Sequence, residues 1–92
     1  MPLTEQQKLY LELIAEEAAE VIHIKSKIIR FGLDDEYSDK GTNKERLEEE
    51  IGHFMATLVL LREEGIINLK SCQNQTLEKL TEWRVKTNVA KR

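Results

Sequence analysis

The sequence predicts an all-α domain, and three observations carry that prediction. From Thr4 to Arg30 no proline or glycine interrupts a run whose apolar residues recur at helical spacing. The one proline of the chain is Pro2, ahead of that run. Charged residues make up 34% and aromatic residues 5%, a balance that suits amphipathic helices better than strands. At 92 residues the chain is expected to form one domain, residues 1–92. A domain this short buries only a modest fraction of its surface, and oligomerisation is one usual remedy. The expected architecture is a helical bundle: a long antiparallel helix pair plus a C-terminal helix.

Thr4 can cap the first helix, with Gln7 as its capping-box partner. Tyr10, Leu13, Ile14, Val21, Ile24, Ile28 and Phe31 mark the main apolar stripe, and Gly32 supplies a C-terminal stop. Lys25, Lys27 and Arg30 fall where the helix dipole prefers cations. Leu11, Ala18, Ile22 and Ile29 widen the apolar sector on one flank. A helix with one partner needs a stripe only somewhat over ~100° wide. The wider sector predicts two partners, one in the same chain and one in a second subunit. Residues 32–43 read as a polar, turn-rich surface loop able to cover a site. Thr42 or Asn43 can cap a second helix with Leu47, Ile51, Phe54, Met55, Leu58 and Leu61 on its apolar face, ending at Gly65. Gly52 inside it costs roughly 1 kcal/mol against alanine, which points to close helix approach or space for a ligand. Ile66 to Leu69 form a connector, and a third helix is expected from Gln73 to about Thr87, with Leu77, Leu80, Trp83 and Val85 as core candidates and a frayed end from Asn88 to Arg92.

Acidic residues stand where these helices should be apolar. At ~100° per residue, Glu17 projects between Ile24 and Tyr10, and Glu20 beside Leu13 and Phe31. Glu16 falls outside that sector. On the second helix Glu50 borders the stripe near Phe54 and Leu61, with His53 one turn on, while Glu48 and Glu49 point away. Clustered acids ordinarily form a solvated face. Acids inside an apolar sector are different, because an unpaired buried charge costs several kcal/mol. Converging carboxylates add mutual repulsion, and a divalent cation is the cheapest resolution. Carboxylates suit hard cations such as magnesium, and inward-facing acids from paired helices build metal sites in bundles.

Composition excludes several classes. The lone Cys72 rules out an internal disulfide framework or a cysteine zinc site. A net charge of -3 and a pI of about 5.4 disfavour nucleic acid as a partner. No apolar run could span a bilayer, and the N-terminus lacks the pattern of a signal peptide. The expectation is a cytoplasmic protein.

The spacing Glu16-Glu17-x-x-Glu20, followed after a loop by Glu50-x-x-His53, resembles the Glu-Glu-x-x-Glu…Glu-x-x-Asp signature of the MazG-like all-α nucleoside triphosphate pyrophosphohydrolases. Lys27-x-x-Arg30-Phe31-Gly32 and Asn43-x-x-Arg46-Leu47-Glu48-Glu49-Glu50-Ile51-Gly52 add to the likeness, which covers roughly residues 9 to 65. The resemblance is to small single-domain members. It implies a bundle completed by dimerisation into a four-helix core, or by pairing of dimers into a tetramer. It also implies magnesium-dependent (or manganese-dependent) cleavage of a (deoxy)nucleoside triphosphate to monophosphate and pyrophosphate.

Carried over by position, Glu17, Glu20 and Glu50 would be metal ligands. Glu16 would orient or deprotonate the attacking water. Lys27, Arg30, Lys44 and Arg46 flank the site and would hold phosphate oxygens, although basic residues at these positions are also ordinary surface pairings. Tyr10, Phe31 and Trp83 are candidates to stack on a base, or are simply core. His53 stands where the family has aspartate. It brings no negative charge and suits zinc, manganese-like or iron sites better than magnesium. It then ligates a softer metal, accepts a proton through water, or marks a weakened site. Two rival readings follow: a catalytically weak or inactive helical dimer that binds nucleotide or a protein partner, and a plain structural or antitoxin-like module.

Overall fold

The computed structural model describes residues 2–36, 39 and 41–90. They form three helices and no strand: α1 (Glu5–Phe31), α2 (Asn43–Glu63) and α3 (Leu69–Ala90). α1 begins as the sequence predicts. The Thr4 hydroxyl accepts from the Gln7 backbone N–H while the Gln7 side chain accepts from the Thr4 N–H, so both orphan donors are satisfied. α2 repeats the device with Thr42 as the cap and Glu45 as its partner. These bonds, above all the one from the Thr42 backbone, hold the Glu45 carboxyl below its ordinary pKa.

The chain between α1 and α2 is pinned by Asn43, the first residue of α2 and wholly buried at 0% exposure. Its side-chain amide donates to the Gly32 carbonyl at 3.0 Å, and its backbone N–H donates to Asp35 O at 3.0 Å. Lys44 N–H donates to Leu33 O at 2.9 Å. The connection is therefore anchored at both ends, with Tyr37, Ser38 and Lys40 of the expected covering loop outside the described residues. At the far end the Gln7 side chain donates to Glu64 O at 3.3 Å. The start of α1 thus meets the end of α2, and the pair is antiparallel.

α2 ends at Gly65, whose φ of +71° is the left-handed conformation that glycine adopts without strain. Ile66 N–H bonds Leu61 O and Gly65 N–H bonds Arg62 O, both at 2.9 Å, the two bonds of a Schellman stop. α3 starts four residues earlier than the sequence suggests. Asn68 is the reason: its side-chain oxygen accepts from Ser71 N–H at 3.1 Å and caps a helix that begins at Leu69. The helical assignment runs on to Ala90 rather than ending near Thr87.

α1 and α2 pack along their length, and α3 makes no comparable packing with either among the described residues. Leu77, Trp83 and Val85 are exposed and Leu80 half-buried, so the core expected of the third helix does not form within one chain. Ile24 and Leu61, at 1% and 3% exposure, are the buried hydrophobic residues of the described chain. The molecule measures 46 × 37 × 15 Å, with a radius of gyration of 16.4 Å. A compact chain of this length would have about 12 Å. Ile22, Ile29, Ile51, Met55 and Val59 are exposed as well. Of the two reasons expected for Gly52, close helix approach is absent within the described chain: the space beside its Cα is open to 4 Å, which leaves room for a ligand.

Two measurements follow. Asn43→Ala removes a buried donor that holds α1 to α2 and is expected to cost about 1–3 kcal/mol in chemical denaturation. Gly52→Ala relieves the helix of a flexible residue in open space and should stabilise by about 0.5–1 kcal/mol. A loss of stability at Gly52 would instead reveal a helix of another chain crossing there.

Candidate metal centre

Two of the acids singled out by their helical phase meet in the seam between α1 and α2. Glu17 and Glu50 are each half-buried, with side chains 24% and 18% exposed. Glu50 lies among residues turned toward α1, and Thr57 and Leu61 further along that face are buried. Glu17 has the equivalent place on α1, two turns before the buried Ile24. The backbone phase of both helices, set by the packing of these apolar neighbours, therefore aims one carboxylate from each helix at the other.

His53 completes the group from the solvent side. Its Nδ1 stands 3.6 Å from Glu17 Oε2 and 3.6 Å from Glu50 Oε2. Its Nε2 is 3.9 Å from Glu49 Oε1. One ligand atom from each of Glu17, Glu50 and His53 falls within 4.8 Å of the others. Glu50 Oε2 is buried and has no hydrogen-bond partner. Burial raises the pKa of Glu50, and the adjoining Glu17 carboxyl raises it further. The positive charge of His53 works in the opposite direction, and Glu20 adds a smaller upward push.

The other predicted residues divide clearly. Glu20 is exposed and outside the group of three, near enough to Glu50 to repel it. Glu16, Glu48 and Glu49 are exposed, as their helical phase implies. Lys27, Arg30, Lys44 and Arg46 all lie toward the loop end of the hairpin. Arg46 is half-buried and one turn from Glu50, an axial step of about 6 Å. Lys27 lies about 15 Å along α1 from Glu17. Lys27 and Arg30 line a groove of about 310 Å³ with His23, Ser26 and Phe31, and Arg30 sits over the Phe31 ring at 5.3 Å. Tyr10 is half-buried, while Phe31 and Trp83 are exposed.

Sequence reasoning took Asn43 as a candidate cap and as part of the second motif, not as a buried residue, and did not single out His23. Asn43 could have been found as a buried-polar candidate, because its helical phase matches that of Leu61. No sequence signal distinguishes His23, on the outer face of α1, from an ordinary surface histidine.

The arrangement can hold a divalent cation. Three donors from two helices share a focus, and the orphaned Glu50 oxygen is the atom a cation would satisfy. It can also trap a proton between the two carboxyls. In metal-free solution the raised Glu50 pKa has a definite linkage sign: the folded state binds a proton more tightly than the unfolded state, so this group favours folding at low pH. That contribution is lost as pH rises through the folded-state pKa, above the ordinary glutamate value. Glu50→Gln is expected to raise the melting temperature of chelator-treated protein at pH 7 and to flatten its decline between acidic and neutral pH, as followed by circular dichroism.

No family model, curated protein or solved structure matches this chain, so the case for its function stands on the seam geometry and the spacing of its acidic motifs.

Proposed function

We propose that the chain is a metal-dependent nucleoside triphosphate pyrophosphohydrolase, converting a (deoxy)nucleoside triphosphate to the monophosphate and pyrophosphate. The observation that carries this reading is the convergence of Glu17 and Glu50 with His53 in the helix seam. The spacing of the acidic motifs and their resemblance to the MazG-like signature supply the reaction class. A divalent cation, magnesium on that pattern with manganese as the substitute, would be held by Glu17, Glu50 and His53. When bound it would neutralise charge developing on the triphosphate. Glu20 is proposed to approach the cation from the exposed flank of α1.

The remaining roles belong to the chain's own side chains. Arg46, half-buried and one turn from Glu50, is the nearest candidate along the helix to hold phosphate oxygens. Lys44, Lys27 and Arg30 extend a basic path along the loop end, which orients the triphosphate away from the open ends of the helices. Glu16 projects roughly 100° round α1 from Glu17 and is proposed to take the proton of the attacking water. The attack falls on the α-phosphorus, and pyrophosphate leaves.

A second subunit belongs to the same proposal. With Ile24 and Leu61 as its buried apolar core and long apolar flanks left exposed, the single chain buries too little to stand alone. A homodimer with a four-helix core, or a pair of such dimers, would cover the groove lined by Ala18, Val21, Ile22, Ile51 and Phe54. Among the described residues no helix is long and apolar enough to cross a membrane, and a net charge of -3 speaks against nucleic acid. A cytoplasmic setting is part of the proposal.

One observation favours the rival, a helical dimer that binds nucleotide or a protein partner without turning it over. Once protonated, His53 offers compensating charge to both carboxylates, so the seam can be tolerated without an ion. Assay of pyrophosphate release from a panel of deoxynucleoside triphosphates with Mg²⁺ or Mn²⁺ separates the two. The enzyme reading expects turnover that falls roughly 10²–10³-fold in Glu17→Gln, the range for losing one charge-stabilising group, and rises in His53→Asp. Nucleotide binding with no turnover under either metal would establish the rival.

A further inference from the structure

We infer that the Glu17–Glu50–His53 site selects a borderline first-row cation, with zinc and cobalt ahead of magnesium. The inference rests on the metal site of the reading above and narrows its cation; it does not depend on the hydrolytic chemistry.

The donor set is the first argument. Two carboxylate oxygens and one imidazole nitrogen converge, and Glu20, which would have supplied a third oxygen, is exposed outside the group. Magnesium demands a near-ideal octahedron of oxygens, whereas imidazole suits zinc and its neighbours. The spacing is the second. At 3.6 Å the His53 Nδ1 is too far from Glu17 Oε2 and from Glu50 Oε2 for an N–H···O hydrogen bond, whose usual length is about 2.9 Å. Ligand atoms around a tetrahedral zinc, with bonds of ~2.0–2.1 Å, stand ~3.3–3.4 Å apart. Around octahedral magnesium, with bonds of similar length, adjacent ligands stand ~2.9 Å apart. The two observed edges lie nearer the tetrahedral value.

The burial of one of these donor atoms adds to both. Glu50 Oε2, one of the atoms facing His53, is shut off from solvent and accepts nothing. A buried carboxylate oxygen without a partner is costly, and here it is aimed at the focus of the other two donors. His53 itself is 50% exposed, which leaves the group an entry path from solvent.

The test is calorimetric titration of chelator-treated full-length protein with Mg²⁺, Mn²⁺, Co²⁺ and Zn²⁺, together with the visible absorption spectrum of the cobalt complex. The expected result is cobalt and zinc binding tighter than magnesium by roughly two orders of magnitude, following the order of affinity for nitrogen-containing sites. The cobalt spectrum should have the intensity of a four-coordinate site. His53→Gln should abolish that preference, and His53→Asp should shift it toward magnesium. Cys72→Ser should leave it unchanged. Far-UV circular dichroism establishes that each variant is folded; should His53→Gln not fold, the cobalt spectrum of the parent protein and the His53→Asp titration decide. Magnesium binding as tightly as zinc, or zinc binding indifferent to His53, overturns this inference and leaves the hydrolase reading standing. Failure of every cation to bind overturns both.

Discussion

Two carboxylates from neighbouring helices share one seam, and this repulsion is the constraint the rest of the structure has to accommodate. Glu17 and Glu50 occupy positions that apolar side chains would fill in an ordinary helix pair. Taking such charges out of water costs several kcal/mol per ion, and opposing like charges increase that cost. The upward shift of the Glu50 pKa is the same cost seen from the proton's side. Three occupants can offset it: a proton between the acids, the imidazolium of His53, or a divalent cation. The three would compete for one focus, and protonation of the acids is linked to helix pairing in this seam.

The hairpin that presents the acids is closed firmly at both ends and thinly in the middle. Asn43, the Thr42–Glu45 capping box and the Schellman stop at Gly65 fix the helix termini by hydrogen bonds. Between them the apolar core is small, and α3 adds little to it. Hydrogen bonds at helix ends set register and angle, but burial of apolar area supplies most of the stability of a domain. A thickness of 15 Å leaves room for barely more than one layer of helices, so apolar surface remains open on the hairpin and along α3. That open apolar surface is what the proposed second subunit would cover.

The helices, the opposed acids and the caps at Thr4 and Thr42 were legible because each depends on local spacing. Helical phase put Glu17 inside the apolar sector, Glu50 at the border of its stripe and Glu16, Glu48 and Glu49 outside, and the side chains lie accordingly. Glu20 shows where phase alone runs out. At the edge of the sector, exposure is settled by how closely α2 approaches, which the sequence of α1 does not contain. Asn43 escaped for a related reason: an asparagine beside a capping threonine looks like a second capping candidate, and its burial comes from Gly32 folding back over it. The exposure of Leu77, Trp83 and Val85 was illegible because periodicity shows that a helix has an apolar face, not which chain covers it.

The seam also divides the hairpin into two unlike sides. On α1, Ile22 points about 160° away from Glu20; on α2, Ile51 points about 160° away from His53. Ala18, Val21, Ile22, Ile51 and Phe54 share an apolar groove on one side, while His53 and the exposed acids occupy the other. Because Glu17 and Glu50 lie on the dividing line, anything that packs into the groove presses on the same two helices that set their separation. A change in helix spacing there alters the distance between the carboxylates directly, since each is fixed to the face of its own rigid helix. Covering the apolar side would restrict the opening of the seam, which holds the donors at a fixed spacing without adding a residue to the site. If the groove is covered by a second copy and the seam holds an ion, as proposed, the two are mechanically coupled through two helices, although no atom is shared between them.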